Sequence, residues 1–159
     1  MVTSPCRPPW RGGRVFDAFL GADLGERTLY HGHSYGGNAL AAAVALRHLQ
    51  LLQERHVLAN VAHRSDQLAA LLGDRVLPLR GVADVRLQGL MGGVELRPAA
   101  AGLRWGRRVC AAAVRRGVLI RPLGDVVVLM PPLTVTAPEV ERIVDVLVEA
   151  IDEVTQEDL

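Results

Sequence analysis

The chain has 159 residues, half of them hydrophobic and only 4% aromatic, a length that suits one domain with a real core. Its 18 basic and 17 acidic residues are spread along the sequence and leave a formal charge of +1. With no basic block or aromatic-interleaved stripe, nucleic-acid binding is not supported. All the basic residues are arginine; a guanidinium keeps its proton, so no side chain here can hold a carbonyl cofactor covalently as a lysine does.

The apolar excess for so short a chain predicts surface meant for a partner domain or subunit. Cys6 and Cys110 lie far apart, form no CxxC or Cys/His set, and read as reduced thiols. Arg7, Arg11 and Arg14 are not followed by an apolar signal region, and no run reaches membrane-spanning length. The expectation is a cytoplasmic protein with neither membrane nor nucleic-acid partner.

Residues 1–14, opening on MVTSPCRPPWRGG, read as an irregular leader. Val15 to Leu20 predicts one or two helical turns, with a loop through Gly25. Next comes TLYHGHSYGGN, Thr28 to Asn38, where histidines, tyrosines, a serine and glycines crowd ahead of an Ala/Leu-rich run. Glycines permit close backbone approach, and a hydroxyl beside a helix N-terminus suits a phosphate. The run ALAAAVALRHLQLLQ predicts a helix with Asn38 as its N-cap.

A second helix is expected from Val57 to Leu72, burying Leu58, Val61, Leu68 and Leu72 and ending at Gly73. The period then changes. VADVRLQG and MGGVELR read as a hairpin over Val82–Gly89 and Met91–Arg97, which also accounts for Gly89, Gly92 and Gly93. Arg104 to Arg116 predicts a helix closed by Gly117. VLIRPL and DVVVLMPP predict two short strands about Gly124. The last helix opens on Thr136 and Glu139 in capping-box spacing and carries the stripe Val140, Ile143, Val144, Leu147 and Ile151. The order gives an α+β fold with a small, mainly antiparallel sheet.

Among candidate chemical residues, His31 and His33 form an HxH pair with no third ligand in recognisable spacing, so a turn-structuring role is expected and no metal. His48, His56 and His63 read as solvated helical residues. No Ser/His/Asp order or G-x-S-x-G elbow supports a hydrolase. Arg121 ends an apolar strand; on spacing alone, a lone surface arginine and a carboxylate fork are equally good readings.

Taken together, HGHSYGGNALAAAVAL, VRLQGLMGGVEL, GVLIRPLGDVVVLMPPL and the closing amphipathic helix resemble the C-terminal part of class III aminotransferases, pyridoxal 5'-phosphate enzymes of fold type I. HGHSYGGN is similar to the H-G-[PH]-[ST]-[FY]-x-G-N signature of the adenosylmethionine-8-amino-7-oxononanoate aminotransferase (diaminopelargonic acid synthase) branch, which makes 7,8-diaminononanoate in biotin biosynthesis. The resemblance runs from about Val15 to Ile151. It implies that Ser34 hydrogen-bonds the cofactor phosphate, reaching across a homodimer. Gly32, His33 and Tyr35 belong to the same cofactor-binding loop. Arg121 is implied to grip the carboxylate of the small-molecule keto acid. Residues 15–56 then form the phosphate loop and linking helix, and residues 57–159 the small C-terminal domain.

The family's cofactor lysine and the aspartate facing the pyridine nitrogen lie upstream of this signature, and neither has a counterpart here. The expectation is therefore a C-terminal fragment without catalytic residues of its own, inactive alone. A truncated gene, a frameshift, a mis-called start or a split gene would each produce it. Two alternatives stand beside it: a non-catalytic dimerisation module complementing a separately encoded large domain, and a fragment of an ω-amino-acid transaminase.

Overall fold

A computed structural model describes residues 13–158, apart from 31, 33 and 35. The described residues contain five α-helices and one four-stranded antiparallel sheet, and the chain divides into two units, one up to Ala45 and one from Leu46 onward.

The first unit contains α1 (Gly13–Asp17), a series of turns and the start of α2 (Ala39–Glu54). Helix α1 begins two residues ahead of the expected Val15 and stops three short of Leu20. Asn38 caps α2 as its sequence position predicts. Its side-chain oxygen accepts the N–H of Ala41 at 3.1 Å, and its carbonyl accepts that of Ala42. No residue of α2 is buried, and Leu40, Val44, Leu46 and Leu49 are all exposed.

The second unit holds the core. Helix α3 (Val57–Leu71) buries Val57 and Leu68, not the expected Leu58, which is 69% exposed. The core-facing stripe runs through Val57, the partly buried Val61 and Leu68, and Leu58 lies one residue, about 100°, from Val57. Nor does Gly73 end the helix. The chain continues as a π turn, Leu72–Val76, in which the Leu77 N–H reaches back to the Leu72 carbonyl at 2.9 Å. Leu72 and Val76 are both buried, so the wider turn keeps two more apolar side chains in the core. Asn60 ties α3 to the loop before the last helix, donating to the carbonyls of Leu133 and Val135, both at 3.0 Å.

Strands β1 (Val82–Gln88) and β2 (Met91–Leu96) form the expected hairpin, with Gly89 and Leu90 as its two-residue turn. Gly89 has the positive φ that this turn requires (58°). Gly92 and Gly93 instead lie within β2, the inner strand between β1 and β4. Strands β3 (Arg121–Leu123) and β4 (Val126–Leu129) are shorter than VLIRPL and DVVVLMPP suggest. Strand β3 pairs with β4 only from Arg121 onward, and beyond β4 Pro131 and Pro132 lack N–H donors. The order across the sheet is β1-β2-β4-β3.

Side chains alternate across a sheet. Val94, Leu96, Val127 and Leu129 point into one core with Leu68, Leu72 and the apolar faces of α4 (Trp105–Arg115) and α5 (Ala137–Glu157). Along α5, Val140, Val144, Leu147 and Ile151 are all 1% exposed or less. Helix α4 ends as predicted: Gly117 takes φ 83°, and the Val118 N–H reaches the Ala113 carbonyl. Among the described residues of this unit, no helix packs on the opposite face of the sheet.

At the start of α5, the Glu139 carboxylate accepts from the Thr136 backbone N–H at 2.8 Å and from its hydroxyl at 2.7 Å. Those two bonds hold the Glu139 carboxyl below its ordinary range. Glu153, through Arg116 and Arg115, and Asp158, through Arg108 and Trp105, are held low as well. In the acid range the unfolded chain thus binds more protons than the folded one, and stability rises with pH. The urea midpoint is expected to hold above about pH 5 and to fall as pH drops to about 3. Thr136→Ala should cost about 1 kcal/mol and flatten that acid limb. By the same denaturation measurement, Leu147→Ala should cost about 2–5 kcal/mol and Leu58→Ala less than about 0.5.

Candidate functional site

Two places carry the residues singled out in the sequence. The first is the approach to α2. Gly32 and Ser34 are exposed, Ser34 lies in a turn, and Gly37 has a φ of 73° that brings the chain round to Asn38. Nothing lies within 4 Å of where a Cβ on Gly32 or Gly37 would be, so the turn presents open backbone. An exposed hydroxyl ahead of a 16-residue helix N-terminus matches the donor chemistry of a phosphate site. His31, His33 and Tyr35 lie outside the described residues, and with them the HxH pair. Among the described residues no cluster of His, Cys, Asp and Glu could hold a metal ion.

The second place is the helix-free face of the sheet. Pairing sets Arg121 opposite Val128, Val128 opposite Gly93, and Gly93 opposite Arg86. Antiparallel partners share a face, so these four residues form one row across all four strands. The neighbouring row is Leu123, Val126, Glu95 and Asp84.

The two arginines of this face differ in what they touch. Arg86 donates to Asp84 at 2.6 Å and to Glu95 at 2.7 Å, which holds it more firmly in its charged form. It also relieves the repulsion of two carboxylates placed directly opposite each other. The guanidinium of Arg121, exposed at the edge, makes no hydrogen bond or ion pair with any described residue. The face therefore offers one free guanidinium fork to a carboxylate from outside.

Other candidates fall away. Cys110 is buried, and desolvation pushes its thiol up to about 11, so it is no thiolate nucleophile at neutral pH. His48, His56 and His63 are exposed, as expected. An apolar groove of about 360 Å³ between Leu119, Met130, Val135 and Ile143 does not include Arg121. Sequence reasoning missed a contact just beside Arg121: the Gly106 N–H, in the first turn of α4, donates to the Asp125 carboxylate at 3.1 Å. Nineteen residues separate the two, and only the Gly-Asp pair at the hairpin turn hints at it.

The profile of Aminotransferase class-III matches residues 12–151, and the chain belongs to that family. An adenosylmethionine-8-amino-7-oxononanoate aminotransferase from Nitratidesulfovibrio vulgaris is 44% identical over 89% of this chain and 27% of its own length. A crystal structure of the enzyme of that name from Methanocaldococcus jannaschii superposes with a TM-score of 0.77 at 34% identity, over 89% of this chain and 34% of that one. An omega-aminotransferase from Caulobacter vibrioides is 30% identical over 94% of this chain and 34% of its length. The chain thus spans about a third or less of these relatives. No helix among the described residues is long and apolar enough to cross a membrane.

Class III aminotransferases use pyridoxal phosphate, and the residues here fit one end of it. Ser34 and its turn suit the phosphate; with no lysine in the chain, nothing suits a covalent bond to the aldehyde. Since Ser34 and Arg121 are exposed and Arg121 is unpaired, Ser34→Ala and Arg121→Ala should each change the unfolding free energy by less than about 0.5 kcal/mol. A larger loss in urea denaturation would make them structural residues.

Proposed function

We propose that this chain supplies the substrate-carboxylate and cofactor-phosphate contacts of an aminotransferase that converts 8-amino-7-oxononanoate to 7,8-diaminononanoate. The observation that carries the reading is Arg121, a free guanidinium on the open sheet face where the face's other arginine is already paired. Its planar fork matches a carboxylate bidentately and holds the far end of the keto acid, leaving the ketone to project away from the sheet. The Ser34 hydroxyl donates to a phosphate oxygen, and Gly32, His33 and Tyr35 shape the loop around it. When bound, pyridoxal phosphate supplies the electron sink for amino transfer.

The proton-shuttling amine has no counterpart in this chain, so it must come from a lysine-bearing large domain, and the chain alone is inactive. Exposed Leu40, Val44, Leu46 and Leu49 on α2 are apolar surface for such a partner or for a second copy in a homodimer. The omega-aminotransferase likeness supports a second reading, the same machinery acting on another amino or keto acid.

The purified chain with pyridoxal phosphate and an amino donor should turn over no 8-amino-7-oxononanoate. After borohydride treatment, mass spectrometry should find no side chain carrying the cofactor. Robust turnover would refute the lysine argument. The substrate assignment is tested in a chimera in which this chain replaces the aligned stretch of the Nitratidesulfovibrio vulgaris relative. The chimera should convert 8-amino-7-oxononanoate, and Arg121→Gln should raise its KM for that substrate roughly 10- to 100-fold. A chimera that prefers another keto acid would favour the second reading.

A further inference from the structure

We propose that Asp125 is a positioning residue for Arg121: by capping α4 from outside that helix, it fixes the β3–β4 hairpin that carries the substrate arginine. The inference rests on the reading of Arg121 given above.

Arg121 stands on a three-residue strand at the edge of the sheet, bonded on one side only, and its neighbour Pro122 has no N–H to give. Such an edge hairpin is a place where a fold opens easily. Its turn, however, is held twice. The Asp125 carbonyl accepts the Leu96 N–H of β2 at 2.9 Å, and its carboxylate accepts the Gly106 N–H at 3.1 Å.

Helix α4 needs that second bond. The residue at its N-cap, Arg104, is in the left-handed region (φ 51°) and makes no side-chain cap. No acidic residue occupies the first turn, while Arg107 and Arg108 add positive charge to the positive end of the helix dipole. Arg108 is answered by Glu157 and Asp158 from α5. One of the unclaimed N–H groups of α4, that of Gly106, is answered by Asp125 across the hairpin turn.

The fit of the two parts is close. A Cβ on Gly106 would lie 2.3 Å from the Gly124 carbonyl oxygen and 3.1 Å from the Asp125 Cα, so only glycine lets the turn seat on the helix. Gly124 itself adopts φ 61° to make the turn. Buried α4 is packed into the core through Trp105, Val109, Ala112 and Ala113, and so serves as the rigid body to which the edge strand is fastened.

A bidentate arginine–carboxylate pair tolerates little displacement. In the chimera described above, Asp125→Ala is expected to raise the KM for 8-amino-7-oxononanoate about ten-fold, with kcat and the amino-donor KM within about two-fold. Asp125→Asn keeps an acceptor for Gly106 and removes the charge, and should stay within about two-fold of the unsubstituted protein. That pair of variants separates capping from neutralisation of Arg104 and Arg107, which line the same recess. In the 159-residue chain, amide exchange at Leu123 and Gly106 should quicken in Asp125→Ala and not in Asp125→Asn, while Leu147 in the core is unchanged.

An unchanged KM in Asp125→Ala, an Asn variant as impaired as the Ala variant, or an equal rise in KM for both substrates would overturn the proposal. Arg121→Gln in the same assay tells its failure apart from that of the functional reading. If Arg121→Gln leaves the KM unaltered, the assignment of Arg121 fails; if it raises the KM and Asp125→Ala does not, only the role of Asp125 fails.

Discussion

The rest of the domain depends on the burial of a single face of the four-stranded sheet. Val94 and Leu96 of β2 and Val127 and Leu129 of β4 are almost wholly buried with the apolar stripes of α3, α4 and α5. Because side chains alternate along a strand, burying these residues forces their neighbours onto the other side. Once Val127 is in the core, Val126 and Val128 must face away, and antiparallel pairing places Leu123 and Arg121 beside them. A one-residue slip of β3 would turn Arg121 toward the core, where an unpaired guanidinium is untenable. The register that makes the core thus also presents the arginine.

The charges divide along the same line. On the helical side, arginines are joined to carboxylates: Arg75 with Asp145, Arg108 with Glu157 and Asp158, Arg115 with Glu153, Arg116 with Glu149 and Glu153. They bind α5 to its neighbours, although as partly exposed pairs each adds little to stability. On the open face the Asp84–Arg86–Glu95 set is self-contained. Arg121 stands outside both groups, and what sets it apart from the chain's other unpaired arginines is its place in the row that crosses the open sheet face.

Much of the fold is legible in the chain because its signals are local. The hairpin at Gly89, the Gly117 helix end, the Asn38 cap and the Thr136–Glu139 start of α5 each involve residues within a few positions of one another. The errors arise where a distant contact outweighs a local one. Gly73 resembles a helix terminator, yet the core draws Leu72 and Val76 inward and the chain widens into a π turn. Leu58 is as hydrophobic as Val57, and only the packing of α3 decides which of the two is covered. Arg104–Arg116 reads as a helix, but nothing local reveals that its cap comes from Asp125.

By itself, the sequence determined the α+β order of elements, the family resemblance that the comparisons bear out, and the lack of any lysine able to hold a carbonyl cofactor. Those are matters of residue identity, periodicity and short-range spacing, which an unfolded chain already contains. Whether Arg121 is a lone surface arginine or a carboxylate fork could not be read at that level. The tertiary structure decided which face of the sheet it occupies, which carboxylates were already taken, and what fastens its hairpin to α4. Each of these depends on residues far apart in the chain, and side chains can meet across such distances only after the backbone has closed around a common core.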